Sequence, residues 1–438
     1  MKTNYYAQLL KRMILILMVS AVLGTVLLVL AFCIPPERIR ENVYASADVL
    51  LLDDISNISD KAFSKYIWQE REQYTDAIMV QNALEKIEGK NAFEHAMWAY
   101  HSDLDPEIWT PEESLRAYCA TQNTEGMFLH EYSRYWHGYL VYLRPLLSIF
   151  TWSQVLTMEV VLQIILLVLV LAVAWKKKAY GVIAAVLTGT FFIKPEVVMA
   201  SFTMSVCWII TLGALLYMLL HHNRLEEKNR YPEFFLIIGI LTAYFEFLTY
   251  PAVTAGFPLC VYFLMKRREK QDWKSDLGKL ILYGASWCVG YVGMWGLKWV
   301  IADLTLHTGT IKDAVWSIIG RTESIGGRPR MNGGLYVIGL NLQEYKYAIY
   351  AIVAVVIGVL AIFALIGALR KTSIKAVLER ILPYIIIFFI PFLWITVVQH
   401  HSALHARFTF RIISIAAMAG CCIIIALKDL FSKKSTCK

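Results

Sequence analysis

The chain alternates long apolar runs with short charged connections. The runs lie at about 13–34, 153–174, 180–200, 202–220, 234–251, 252–265, 278–300, 347–369, 381–398 and 409–427. Most of them reach the ~20 residues that a helix needs to cross the hydrocarbon core of a bilayer. In lipid the backbone must satisfy its own hydrogen bonds, so runs of this length predict helices rather than open strands. The expected fold class is an all-α membrane protein with about ten transmembrane helices. At the tight turns around Ser201 and Pro251, two runs fit re-entrant hairpins as well as full spans. One connection breaks the pattern: 35–150 separates the first two runs. Loops of that length seldom lack structure of their own. The periodicity of Ser114–Tyr118 and Phe128–Leu143 predicts helices inside it. The organisation expected is a first span with its short tail (1–34), a large helical extracytoplasmic loop (35–150), and a helical bundle (151–438) with a second outer loop at about 303–345.

Charge fixes the expected orientation. Basic clusters recur in alternate connections, at Lys176-Lys177-Lys178, Arg224 to Arg230, Lys266-Arg267-Arg268, Arg370-Lys371 and Lys433-Lys434. By the positive-inside rule these connections and both termini are cytoplasmic, as in a bacterial plasma-membrane protein, and the loop 35–150, acidic on balance, lies outside. The net charge of +8 is thus an orientation signal and not a nucleic-acid footprint. A composition of 58% hydrophobic and 17% charged residues excludes an ordinary soluble domain. The first run follows Lys11-Arg12 and ends in Ala31-Phe32-Cys33-Ile34 before two prolines, a poor cleavage site, so it reads as a retained span. The eight cysteines are scattered, with only Cys119 in the long loop, which supports neither a disulfide framework nor a CxxC metal site. No internal repeat of the kind many secondary transporters carry is present, and no Walker spacing indicates nucleotide hydrolysis.

Candidate chemistry gathers in the segments expected outside. Asp76 leads an apolar stretch, as either a helix N-terminal acid or a base able to take a proton from a hydroxyl. Asp53 and Asp54 are an adjacent pair that fits a solvated turn or the same catalytic role. The stretch Glu131-Tyr132-Ser133-Arg134-Tyr135-Trp136-His137-Gly138-Tyr139, with Arg144-Pro145, is the densest set of functional side chains. On a helix, His130, Arg134 and His137 share one face, and Glu131 and Tyr135 the neighbouring one. Arginine grips phosphate bidentately and aromatic rings cover a sugar; an interfacial belt anchoring the next span has the same composition. Glu246 lies inside an apolar run, where an ionisable group needs a polar cavity and a partner. Lys194 and Glu196, flanking Pro195 at the outer end of another run, fit either such a partner or side chains that snorkel to the interface. Arg321, Arg328 and Arg330 accompany glycines in the second outer loop, a composition suited to a lipid-linked phosphate or to a solvated loop. Near the last outer turn, His401 and His405 stand one helical turn apart without an evident third metal ligand. Hydrogen bonding to sugar hydroxyls or phosphate suits them better. Arg411 enters the final run and requires an anionic partner.

These features together resemble the GT-C superfamily of integral membrane glycosyltransferases, in particular its bacterial branches. The resemblance rests on the basic amino terminus, the single span before a large acidic outer loop, Arg134-Tyr135-Trp136-His137-Gly138 with Arg144-Pro145, Phe247-Leu248-Thr249-Tyr250-Pro251, and His405 to Arg411. It covers the chain as architecture, through loose motifs. It implies a polyprenyl-phosphate-linked sugar donor, a glycan or protein acceptor, contact with membrane lipids, and transfer on the extracytoplasmic face. The cofactor is left unspecified, with a divalent metal ion compatible. A first-loop acid serves as base in many members, which here implies Asp76, or failing that Asp53 or Asp54. Where better-known members place an acidic pair just after the first span, this chain has Pro35-Pro36-Glu37-Arg38. Such a site requires Asp76, Glu246, Arg134, Arg328 and His405 to line one cavity. The competing readings are a transporter or flippase of lipid-linked glycans, with Glu246, Arg411 and Lys194 along a central path, and a surface-polysaccharide polymerase or ligase.

Overall fold

The structure is a computed structural model and describes residues 2–46, 72–266, 272–325 and 329–432. The described residues are mainly helical. Its first part comprises α1 (Lys2–Phe32), α2 (Pro36–Tyr44), α3 (Tyr74–Leu84), α4 (Ala92–Trp98), β1 (His101–Asp103), α5 (Pro111–Thr121), β2 (Phe128–His130) and α6 (Leu140–Leu147). The bundle follows, with α7 (Trp152–Lys176), α8 (Tyr180–Ile193), α9 (Pro195–Met199), α10 (Phe202–Glu227), α11 (Tyr231–Phe245), α12 (Val253–Lys266) and α13 (Trp273–Leu306). Its last part is α14 (Thr310–Thr322), α15 (Arg330–Gln343), α16 (Ala348–Leu369), α17 (Ile374–Val397), α18 (Gln399–Leu404), α19 (Ala406–Thr409) and, after a 3-10 turn, α20 (Ser414–Ser432).

Among the described residues seven helical stretches are long and apolar enough to cross a membrane: α1, α7, α10, α13, α16, α17 and the last, Ala406–Leu430. Three more apolar helices are shorter, α8 and α12 with 14 residues and α11 with 15. The exposed side chains identify the solvent. On α16, Ile352, Val355, Val359, Ile362 and Phe363 all point outward, an apolar surface of the kind that faces lipid. The chain is an integral membrane protein.

The centre of the bundle is joined by small residues. α11 packs on α13 more extensively than any other pair, because Gly239 and Gly290 face each other's backbone. A Cβ on Gly239 would overlap the Trp287 carbonyl, and one on Gly290 the Leu236 carbonyl. Close backbone approach through glycine is how helices associate where lipid removes the hydrophobic drive.

The segment between α1 and α7 is held on the bundle by buried charges. Arg144 on α6, 2% exposed, donates from Nε to the Ala31 carbonyl at 3.0 Å, from Nη2 to Ile34 at 2.8 Å and from Nη1 to Ala83. One guanidinium thus reaches carbonyls at the C-terminal ends of both α1 and α3, where helical pairing runs out. The segment also carries an antiparallel β1–β2 pair, with His101 opposite His130. That pair corrects the helix expected over 128–143: Phe128–His130 is a strand, 131–139 is a run of turns, and the helix begins at Leu140. The turn is imposed by packing. His137 adopts φ +54°, and Gly138 donates its N–H to the Tyr244 carbonyl at 2.9 Å, where any side chain would collide with Tyr244.

Gly290→Leu is expected to force α11 off α13 and lower stability by about 2 kcal/mol or more. Gly296→Leu, on the same helix but with no atom within 4 Å of its Cβ position, is expected to be neutral. Thermal unfolding of the purified protein in detergent distinguishes the two.

Candidate functional site

A cavity of about 720 Å³ opens at one end of the bundle. It is built from chain segments that are far apart in sequence. Glu72, Thr75 and Ile78 come from the start of α3, Trp109 from the loop after β1, and Tyr132 and Tyr135 from the turns before α6. Phe247 and Leu248 follow α11, Arg321 ends α14, Gln343 and Glu344 end α15, and His401, His405 and Arg407 come from α18 and its continuation.

The aromatic wall is ordered by ring contacts. Tyr135 lies on Phe247 with centroids 4.7 Å apart and planes 7° from parallel. Tyr132 meets both edge-on, at 5.2 and 5.4 Å, and Trp109 meets Tyr132 edge-on at 5.0 Å. The Tyr135 hydroxyl accepts from Arg321 Nη2 at 2.7 Å, which aims the guanidinium along the wall. Leu248 adopts φ +60°, an uncommon conformation for a bulky residue and one that tends to occur at functional sites. Its carbonyl accepts from His401 Nε2 at 3.0 Å. That bond fixes the proton on Nε2 and leaves Nδ1 as an acceptor. His405 lies 4.7 Å from the His401 ring and stacks on Phe408.

Burial, with the nearby Arg321 charge, holds both imidazoles neutral. The pKa of His401 falls to about 3 and that of His405 to about 4. The positive charge of the cavity comes from Arg321 and Arg407. Two acids, Glu72 and Glu344, line it, and the half-buried Glu72 has its carboxyl pushed up to about 7. Burial is the main cause, and the charges of Asp76 and Glu112 act in the same direction, against the hydrogen bonds from Thr75. Thr75 donates to Oε1 from its N–H at 2.9 Å and from its hydroxyl at 3.1 Å. A carboxyl that titrates near neutrality is matched to general acid or base work.

Tyr135, Arg321, His401 and His405 thus meet in the cavity, and the other described residues expected to form the site do not line it. Asp76, 1% exposed, accepts from the N–H groups of Phe202 and Thr203 at 3.2 and 2.8 Å and from the Thr203 hydroxyl at 2.5 Å. It caps α10, not its own helix. Glu246 folds back on its own turn, accepting from the Thr249 N–H and, at 2.8 Å, from the Thr249 hydroxyl. Arg134 pairs with Asp313 at 3.0 and 3.1 Å, joining the turn region to α14. His137 is buried behind the wall between the Tyr132 carbonyl and the Tyr139 hydroxyl. Arg144 is the carbonyl clamp described above. Arg330 lies at the exposed start of α15 and reaches the Val397 carbonyl at 3.4 Å. Arg411 is buried, with its guanidinium 4.5 Å over the Phe410 ring and Nη1 donating to the Arg407 carbonyl. Because residues 131–139 are not helical, the shared faces expected there do not exist. Asp53, Asp54 and Arg328 lie outside the described residues. Of Asp76, Glu246, Arg134 and His405, only His405 reaches the cavity. Glu246, Arg411 and Lys194, the proposed transport path, do not line it either; Lys194 donates to the Glu344 carbonyl at 2.9 Å. Among the described residues no group of three or more His, Cys, Asp or Glu is placed to hold a metal ion.

Glu72, Trp109, Gln343, Glu344 and Arg407 were not singled out from the sequence. Glu72 sits in Gln69-Glu70-Arg71-Glu72-Gln73, which has the composition of a solvated run. A second, apolar groove of about 510 Å³ runs between α16, α17 and α20, lined by Tyr350, Ala354, Gly358, Phe388, Ala417 and Gly420 among others. Leu342 and Tyr345, at its upper end, flank the Gln343 and Glu344 that line the cavity.

No family model matches the chain, and no curated protein or solved structure matches it.

The raised pKa of Glu72 makes a pH-dependent contribution to stability. Protonated Glu72 favours the folded state below about 4.5, and that contribution is lost as pH rises through about 7. Glu72→Gln, which mimics the protonated form, is expected to gain on the wild type across that window and to show a constant offset below it. Paired thermal unfolding curves between pH 4 and 8 measure the difference, in which the titration of all other groups cancels.

Proposed function

We propose that the protein is a membrane glycosyltransferase that moves a sugar from a polyprenyl-phosphate donor to an acceptor hydroxyl. The observation that carries this reading is the convergence of Glu72, Arg321, Arg407, two neutral histidines and an aromatic wall in one cavity, beside an apolar groove in the lipid-facing bundle. The donor's isoprenoid chain would lie in that groove, its phosphate on the arginines, and its sugar against Tyr132 and Trp109. Pockets that combine apolar walls with a few convergent polar groups are the usual form of small-molecule sites.

In this scheme the acceptor oxygen attacks the anomeric carbon as the bond from that carbon to the phosphate oxygen breaks. Glu72 takes the acceptor proton, and the carrier phosphate leaves with the bonding electron pair, stabilised by Arg321 and Arg407. His401 Nδ1 and the His405 ring supply hydrogen bonds to sugar hydroxyls. Glu72 replaces Asp76 as the proposed base, because the Asp76 carboxylate is occupied by the start of α10.

The topology that accords with this reading has ten spans, the three shorter apolar helices included, with the cavity on the extracytoplasmic side. Lys176, Arg224, Arg230, Lys266 and Arg370 then fall in cytoplasmic connections, as the positive-inside rule requires. A bacterial plasma membrane fits that orientation.

Transfer can be followed as release of polyprenyl phosphate from a panel of polyprenyl-phosphate hexoses in proteoliposomes. Glu72→Gln is expected to lower turnover by about 10²- to 10⁴-fold with donor binding retained; turnover at the wild-type rate would remove Glu72 as the base. Arg321→Gln is expected to weaken donor binding. Gly358 has no atom within 4 Å of its Cβ position, so Gly358→Phe would fill the groove from α16. It is expected to raise KM for long-chain donors and leave short-chain donors unaffected, and equal effects on both would place the isoprenoid elsewhere.

A further inference from the structure

A third recess lies in the half of the bundle away from the cavity. It is a groove of about 510 Å³ between α10 and α11, walled by Gly213, Tyr217, Phe234, Ile237 and Leu241. Tyr217, Ile237 and Leu241 are exposed, so the groove opens on the surface that meets lipid. At Gly213 the wall is missing: no atom lies within 4 Å of where its Cβ would be. The groove reaches from Leu241 to Glu233, eight residues of helix or about 12 Å. That depth is close to one leaflet, half of the ~30 Å hydrocarbon core.

The mouth of the groove is polar and holds more positive than negative charge. Glu233 there is flanked by two guanidiniums, Arg12 of α1 at 2.7 Å and Arg230 at 2.8 Å. Both ion pairs engage Oε1. Oε2 is buried, in a residue only 5% exposed, and has no hydrogen-bond partner. A buried carboxylate oxygen left without a donor is costly, and its position at the mouth calls for a ligand that brings one. Two arginines against one carboxylate leave a net positive charge for an anion.

We infer that this groove binds an anionic glycerophospholipid of the phosphatidylglycerol class. One acyl chain lies between α10 and α11, the phosphate faces Arg12 and Arg230, and a headgroup hydroxyl donates to Glu233 Oε2. The site is independent of the transfer reaction. It fills the gap in the lipid-facing wall at Gly213 and braces α11, whose other end leads into Phe247 and Leu248 of the cavity.

The test is native mass spectrometry of the full-length protein released from vesicles of equal parts phosphatidylglycerol and phosphatidylethanolamine. One retained phosphatidylglycerol per chain is expected, in excess over phosphatidylethanolamine. Arg230→Gln is expected to cut that preference about fivefold, the effect of one basic residue at an anionic membrane surface. Gly213→Phe, which fills the groove, is expected to remove the retained lipid, whereas Gly358→Phe in the other groove is expected to leave it in place. Equal retention of the two lipids by the wild type would overturn the proposal. So would undiminished retention in Gly213→Phe, or a dimer whose mass persists without lipid and is lost on that substitution, which would make a second copy the occupant.

Discussion

The first turn of α10 is capped by a carboxylate from a distant part of the chain, and the position of the cavity's acid depends on that contact. Ser201 precedes the helix in extended conformation and makes no side-chain cap of its own. Asp76 supplies the acceptor, taking the N–H groups of Phe202 and Thr203 at the positive end of the α10 dipole. The same helix, α3, is held at its other end by Arg144 through the Ala83 carbonyl. With both ends tied to the bundle, α3 fixes Thr75 and Ile78 in the cavity wall and Glu72 beside them. Releasing a buried anion from such a cap would leave donors unsatisfied on one side and a desolvated charge on the other, so the contact is strongly preferred over any alternative docking.

The cavity is made from helix ends. A spanning helix is apolar along most of its length, so most polar chemistry lies in the turns beyond it, and those turns meet only if the helices below them are packed in register. The close approach of Gly239 to Trp287 and of Gly290 to Leu236 sets that register for α11 and α13. α11 then delivers Phe247 and Leu248 to the wall, and α13 leads through Asp303 into α14. Asp303 accepts from the N–H groups of Thr310 and Ile311 at 2.6 and 3.0 Å, which fixes the start of the helix that carries Arg321. The ion pair of Arg134 with Asp313 joins that helix to the turns bearing Tyr132 and Tyr135.

Apolar length was the most legible feature of the sequence, since each run overlaps a helix. The limits were less legible. Lys194, in left-handed conformation, ends α8 at Ile193 and splits the run read as 180–200. Periodicity misled over 128–143, where a short strand pairing and the fit of Gly138 against Tyr244 outweigh helical spacing. The site was legible in part. His401 and His405 stood out because imidazoles are rare beside apolar runs, and Arg321 and Tyr135 because they belong to segments dense in functional groups. Glu72 did not stand out. Charge pattern distinguishes an acid in an apolar stretch from one in a polar run, but it does not tell which acid a cavity encloses. Here the conspicuous acid, Asp76, is occupied by structure, and the inconspicuous one four residues earlier is free to titrate.

The charge states in the cavity constrain what it can hold. Two neutral imidazoles beside Arg321 leave the site with two arginines, the Glu344 carboxyl and the Glu72 carboxyl poised near neutrality. A site made for a free polyanion such as a nucleotide would gain from charged imidazoles, and burial here disfavours them. A single phosphate attached to a long apolar chain needs only the two arginines, because much of its binding energy comes from the chain, at about 0.8 kcal/mol per buried methylene. Next to a sugar, His401 Nδ1 would accept from a hydroxyl and the neutral His405 ring can donate or accept, without drawing the phosphate out of place. On the proposed reading, a groove for the chain, arginines for the phosphate and neutral rings for the sugar are the physical basis for preferring a lipid-linked donor to a soluble one.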